Sequence, residues 1–165
     1  MGADLSDCGQ FRYTLTRDQL TPDSKTSALF IMLNPSTADA VTDDPTIRRC
    51  IGFAKREGCK DLIVANLYAL RSPSPSDLWT ADDPVGPNND EWLEILMQRR
   101  SKVICAWGAH AKPDRVSAFL SMAEAANKTL WCLGTTKAGA PRHPLYIRAD
   151  QPLLPFHPGA ELISR

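Results

Sequence analysis

Residues 28–37 read Ala-Leu-Phe-Ile-Met-Leu-Asn-Pro-Ser-Thr, an apolar run that passes straight into a polar turn. The continuous apolar stretch over residues 28–33 predicts a strand covered on both faces, the mark of a parallel sheet flanked by helices. Sheets of that kind take their ligands just beyond the carboxyl ends of the strands. Asn34 therefore stands where chemistry is expected, on a backbone that Pro35 stiffens and that Ser36 and Thr37 can hydrogen-bond. The same residues also fit an ordinary turn that leads into the next helix.

Three further junctions of this kind follow. Residues 62–67 form an apolar run that ends at Asn66, Tyr68 and Arg71. Residues 103–107 run into Gly108, Ala109 and His110, and residues 129–133 run into Gly134. Helical spacing separates them. Asp43-Asp44-Pro45 supplies a cap and a first-turn proline ahead of Ile47, Cys50, Ile51 and Ala54, and Gly58 supplies a stop. Asn88, Asn89 and Asp90 offer caps ahead of Trp92, Leu93, Leu96 and Met97. Pro113 precedes Val116, Phe119, Leu120 and Ala123. The alternation predicts an α/β fold, a three-layer α/β/α sandwich around a central four-stranded, mainly parallel sheet, in a single domain over residues 1–165. Residues 11–16 alternate in polarity and predict a half-exposed edge strand. The proline-rich segment 72–87 exceeds the usual connection length and is a candidate lid or binding loop.

Composition narrows the function classes. A chain of 165 residues, 43% hydrophobic, fits one core, and 19 basic against 19 acidic residues leave no net charge. Any contact with a polyanion must then be a local patch. Cys8, Cys50, Cys59, Cys105 and Cys132 contain no Cys-x-x-Cys pair, so neither a disulfide framework nor a structural zinc site is expected. No metal or other cofactor is implied. Without a basic leader or a long apolar run, the chain reads as cytoplasmic with no membrane partner. Nothing in it specifies an oligomeric state.

The strand ends gather the chemically active side chains on one rim. Residues 134–148 contain Lys137, Arg142, His143 and Arg148 with no acidic residue, a candidate phosphate-binding patch. The alternative is a solvated loop whose charges pair with Asp39, Asp43 and Asp44. His143 lies between Arg142 and Pro144, where neighbouring cations disfavour imidazolium. A neutral ring there can donate one hydrogen bond to a developing anion. His110 fits a structural histidine, and Trp107 fits either the core or a base platform. The spacing of residues 134–139 excludes a Walker-type phosphate loop, and no dinucleotide fingerprint follows the first strand.

The segments Met32-Leu33-Asn34-Pro35-Ser36-Thr37-Ala38-Asp39, Asp44-Pro45-Thr46-Ile47-Arg48-Arg49-Cys50, Asn66-Leu67-Tyr68-Ala69-Leu70-Arg71 and Pro141-Arg142-His143-Pro144-Leu145-Tyr146 together resemble the uncharacterised bacterial and phage family called domain of unknown function 1643. That resemblance spans nearly the whole chain. More distantly, Leu33-Asn34-Pro35-Ser36, Ala106-Trp107-Gly108-Ala109-His110-Ala111 and His143-Pro144-Leu145 are similar in order and separation to motifs of the uracil-DNA glycosylase superfamily. The second resemblance implies a uracil-DNA-glycosylase-like fold and an enzyme that flips a nucleotide and cleaves its N-glycosidic bond. Asn34 would position the attacking water, and His143 would hydrogen-bond the departing base. Ser36, Thr37, Lys137 and Arg142 would hold phosphates, and Tyr68 or Phe53 would stack on the base. Pro35, Asn66, Arg71, Trp107, Gly108 and His110 complete the binding candidates.

The expected function is a nucleobase-directed hydrolase acting on a modified base in DNA or on a nucleotide. Two alternatives stay open. One is a non-catalytic nucleic-acid or nucleotide binding module that uses the cationic rim. The other is a metal-dependent hydrolase built on Asp39, Asp43 or Asp44 with His143.

Overall fold

The structure, a computed structural model, describes residues 1–158; the expected domain runs on to residue 165, and 159–165 lie outside the described part. In chain order the elements are β1 (Gly2–Leu5), β2 (Arg12–Arg17), β3 (Ser27–Met32), α1 (Pro45–Arg56), β4 (Asp61–Asn66), α2 (Asn89–Arg99), β5 (Lys102–Cys105), α3 (Pro113–Ala125), β6 (Leu130–Cys132) and β7 (Leu154–Pro155). Short 3-10 turns cover Pro75–Trp79 and Pro144–Tyr146. One sheet holds every strand of the described residues in the order β1-β2-β4-β3-β5-β6-β7.

The apolar run becomes β3, buried along its whole length at the sheet's centre. It pairs in parallel with β4 and β5, and β5 pairs in parallel with β6. The four expected strands are thus the parallel middle of a seven-stranded sheet. Antiparallel β1 and β2 extend it on one side and β7 on the other. These additions are short or polar, so their sequences carry no continuous apolar run. β2 is also not an edge strand: it lies between β1 and β4, and Arg12, Tyr13, Thr14, Leu15 and Arg17 are buried.

Alternation along β3 divides the core in two. Leu29, Ile31 and Leu33 pack with Leu93, Leu96 and Met97 of α2 and Phe119 of α3. Ala28, Phe30 and Met32 pack on the other face with Ile47, Cys50, Phe53 and Ala54 of α1. Helix α1 begins as its sequence dictates: Asp44 Oδ1 accepts from Ile47 N at 2.9 Å and Pro45 takes the first helical position. It ends in a Schellman motif, with Gly58 at φ +70° and Cys59 N donating to Ala54 O at 2.9 Å.

Asn88 makes no side-chain cap at α2. Its neighbour Asn89 is buried and donates from Nδ2 to Asn66 O at 3.0 Å and Leu67 O at 3.1 Å, tying α2 to the end of β4. The 72–87 segment is held in place as well. Ala69 N donates to Val85 O and Leu70 N to Pro84 O, and Leu78 is buried. It is a strap bonded to the sheet rather than an open lid.

Candidate site at the carboxyl rim

Parallel pairing brings the carboxyl ends of β3, β4, β5 and β6 to one rim. Met32 pairs with Asn66 and Ile31 with Cys105, and the ladder continues as Tyr68 N donates to Leu33 O at 3.0 Å. Carried two residues on, that register sets Asn34 between Tyr68 and Gly108. Asn34 follows Ala28, Phe30 and Met32 in alternation, so it leaves the strand on the α1 face. Its Nδ2 donates to Ser72 O at 2.9 Å, Pro35 O at 3.0 Å and Leu70 O at 3.4 Å. Carbonyls on the nitrogen side fix the amide's orientation, because the oxygen cannot take that place. Oδ1 accepts from no described residue and is left as an oriented acceptor at the strand end.

Gly108 has φ +77°, donates to Pro141 O at 2.9 Å, and would bring a Cβ to 3.7 Å from that of His143. The late loop is thereby pressed onto the end of β5. Arg49 Nε also donates to Pro144 O at 3.4 Å, tying that loop to α1. His143 Nδ1 accepts from Leu145 N at 3.2 Å, which assigns the ring proton to Nε2. Burial pushes the His143 pKa down, and the Asp44 charge opposes it. The shift has the direction expected from sequence, toward the neutral ring, but a different cause: burial rather than flanking cations.

Asn66 is 1% exposed and follows Leu62 and Val64 on the α1 face. Its Nδ2 has no hydrogen-bond partner among the described residues. Tyr68 turns to the other face, buried with α2, its ring edge-on to Trp79 at 5.4 Å and its hydroxyl accepting from Lys112 N at 3.2 Å. Phe53 is buried under the guanidinium groups of Arg49 and Arg56. Neither aromatic offers a face to a base. Trp107 is 2% exposed and packs edge-on against Phe119 at 5.6 Å and Phe156 at 5.7 Å, so it belongs to the core. Pro35 is buried and accepts from Ser72 N, while Ser36, Thr37 and His110 are exposed on the rim.

The cationic loop does not pair with the acidic cluster. Asp43 bonds Arg17 Nε at 2.7 Å, Asp39 Oδ1 accepts from Val41 N and Thr42 N, and Asp44 caps α1. Arg148 pairs with Asp150 at 3.0 Å. Lys137 and Arg142 are exposed, and neither forms an ion pair among the described residues. No group of three His, Cys, Asp or Glu among the described residues is placed to hold a metal ion.

Arg12 is the residue that sequence reasoning passed over. It is 3% exposed in β2, and its Nη1 donates to Ala38 O in the loop after Asn34. The available signal was two arginines, Arg12 and Arg17, in one short strand otherwise made of β-formers.

The fold and rim define an α/β protein whose candidate ligand site is assembled from the carboxyl ends of parallel strands and from the loops that follow them. The chain belongs to the family described as a protein of unknown function, DUF1643, whose model matches residues 12–145. No curated protein and no solved structure matches the chain. The matched span contains Arg12, Asn34, Asn66, Gly108 and His143. Among the described residues, no helix is long and apolar enough to cross a membrane.

Proposed function

We propose that the rim is the active site of a nucleobase-directed N-glycosidic hydrolase, acting on a modified base in DNA or in a nucleotide. One observation carries the reading: Asn34 and His143, both beside Gly108, each have one polar end fixed by backbone and the other end free. Breaking the C1′–N bond leaves the sugar cationic and the electron pair on the base. The Asn34 Oδ1 accepts a hydrogen bond from the water whose oxygen attacks the sugar carbon; the proton that water gives up as the C1′–O bond forms ends on the departing base. The Nε2–H of His143 donates to the base oxygen that gathers negative charge. The Asn66 Nδ2, a donor without a partner among the described residues, suits an acceptor on the edge of a base.

The uracil-DNA-glycosylase-like three-layer sandwich belongs to the same proposal, supported by helix cores on both faces of the sheet. The test is release of free base, followed by mass spectrometry, from a panel of modified-base DNAs and nucleotides. Asn34→Ala is expected to abolish release and leave binding within a few fold. Equal loss of binding and release would overturn catalysis in favour of a binding module. Activity that vanishes with chelator and returns with magnesium or manganese would instead support the metal-dependent hydrolase.

A further inference from the structure

Arg12 and Arg71 stand together at the β2 end of the rim without a shared anion. Arg12 N donates to Ala69 O and Arg71 N to Gln10 O, both at 2.9 Å. This antiparallel pairing sets Arg12 opposite Ala69, with Arg71 two residues further along the same face, a diagonal cross-strand neighbour. Ser72 N donates to Pro35 O at 2.9 Å, so Arg71 also lies beside the start of the 35–44 loop. Two cations placed this way repel each other.

The guanidinium of Arg12 is tethered at one corner only. Nη1 donates to Ala38 O, whereas neither the buried Nε nor Nη2 donates to any described residue. Nε and Nη2 together are the side-on fork with which arginine binds an oxyanion through two parallel bonds. An arginine that is 3% exposed and keeps this fork unused leaves its Nε–H buried at a cost, unless a ligand completes it. The tether to Ala38 holds the fork under the loop that carries Ser36 and Thr37. The backbone N–H groups of Ser36, Thr37 and Ala38 likewise donate to no described residue, and such a run of free amides suits an anion.

Burial first, then the Arg71 charge, lowers the Arg12 pKa to about 10, with Asp44 and Asp39 acting in the opposite sense. Asp39 is occupied by the Val41 and Thr42 amides and Asp43 by Arg17. The acidic side chains of the loop are therefore used elsewhere.

We propose that Arg12, Arg71 and the amides of residues 36–38 form a phosphate site, and that the rim's substrate is a free nucleotide bound by its terminal phosphate. The substrate assignment rests on the hydrolase reading above; the phosphate site does not. Strand order places Arg12 on β2, Asn66 on β4, Asn34 on β3 and Gly108 with His143 at β5. That row spans about 14 Å at ordinary strand spacing, comparable with a mononucleotide from phosphate to base. A terminal phosphate reaches a buried fork end-on. A phosphodiester in duplex DNA stays at the surface, away from that fork, and a chain with no net charge offers it only a local patch.

The test follows the Arg12 Nε–H resonance by NMR and measures affinity by calorimetry. The probes are inorganic phosphate, a nucleoside 5′-monophosphate, the matching nucleoside and a short single-stranded DNA. The expected result is an Arg12 Nε–H shift with phosphate and monophosphate, and monophosphate bound at least tenfold more tightly than nucleoside or DNA. Arg71→Ala weakens monophosphate at least fivefold, and Arg12→Lys, which keeps the charge without the fork, at least tenfold. No Nε–H response to phosphate, or equal affinity in wild type and Arg12→Lys, overturns the site. DNA bound more tightly than monophosphate overturns the substrate assignment. Phosphate binding without base release from any nucleotide would sink the hydrolase reading and leave the phosphate site standing.

Discussion

The two ends of the Asn34 amide differ, Nδ2 being bonded to backbone carbonyls while Oδ1 accepts from no described residue, so its structural role is separable from the chemistry proposed for it. In Asn34→Asp a carboxylate oxygen faces the carbonyls of Pro35, Leu70 and Ser72 in place of the donating nitrogen. It is expected to destabilise the fold by about 3 kcal/mol, against about 1–2 kcal/mol for Asn34→Ala, which only deletes bonds. Urea denaturation compares the two, and an aspartate variant as stable as wild type would mean that the amide is turned the other way. His143 yields a pH prediction. Its folded pKa lies below the ordinary value of 6.5, so as pH falls the unfolded chain takes up the proton first. The contribution of the neutral ring is complete above about pH 6.5 and is lost as pH drops through the folded pKa. His143→Gln should flatten the fall in denaturation midpoint on the acid side of pH 6.5. Asp44→Asn keeps the α1 cap but removes the charge that raises the His143 pKa. The Hε1 resonance of His143 should then titrate at a lower pH than in wild type, and an unchanged midpoint would count against their coupling. A neutral His143 is expected from the charge of its neighbours, whereas burial is what lowers its pKa. That burial is not legible in the sequence, because it depends on how distant α1 packs.

Elements differ in how openly their sequences declare them. β3, β4 and β5 are legible as apolar runs because both of their faces are covered, and α1 because its cap and stop are local. β2 reads as an edge because over residues 11–16 Arg12 and Thr14 alternate with Tyr13 and Leu15 like a wet face. Instead both side chains are buried: Arg12 holds Ala38 of the 35–44 loop and Thr14 donates to Asp4 of β1, while Arg17, one residue beyond that stretch, holds Asp43. The phosphate end of the rim was hidden by that misreading, since a polar alternation says nothing of the loop folded over it. The 72–87 segment looks like a lid by length alone, and backbone pairing with residues 69–70 makes it a strap. Asn89 fastens the nearby end of β4. Asn89→Ala deletes both of its bonds, taking the side-chain donor from Asn66 O in a buried site and leaving Leu67 O to Arg115 Nε at 2.7 Å. A loss of about 2–3 kcal/mol in denaturation is expected, accompanied by faster amide exchange at Tyr68 and Ala69. A variant within about 0.5 kcal/mol of wild type would show that the strap and α2 hold the strand end without it.

Over the whole molecule, the family's shared span and the sheet's edges fall in different places. Residues 12–145 take in β2, the parallel strands and the rim, while β1 and β7 lie outside. β1 pairs only with β2 and is half-exposed or exposed along its length. Arg12 depends instead on Ala69 and Ala38, and Arg71 on Gly9 and Gln10, all of which remain when residues 1–5 are removed. That deletion takes away the β1 ladder, the Asp4 acceptor of Thr14 and the ion pair between the Met1 amine and Asp18. Hydrogen bonds at a partly wet edge are each worth about 1 kcal/mol or less, so the truncated chain should lose about 2–3 kcal/mol and still fold. It should keep its far-ultraviolet dichroism and bind nucleoside monophosphate within a few fold of the full chain. β2 becomes a bare edge, so concentration-dependent association should rise, readable by sedimentation. If the truncated chain folds but no longer binds monophosphate, β1 belongs to the rim, and the boundary drawn by the shared span does not mark the edge of the working unit.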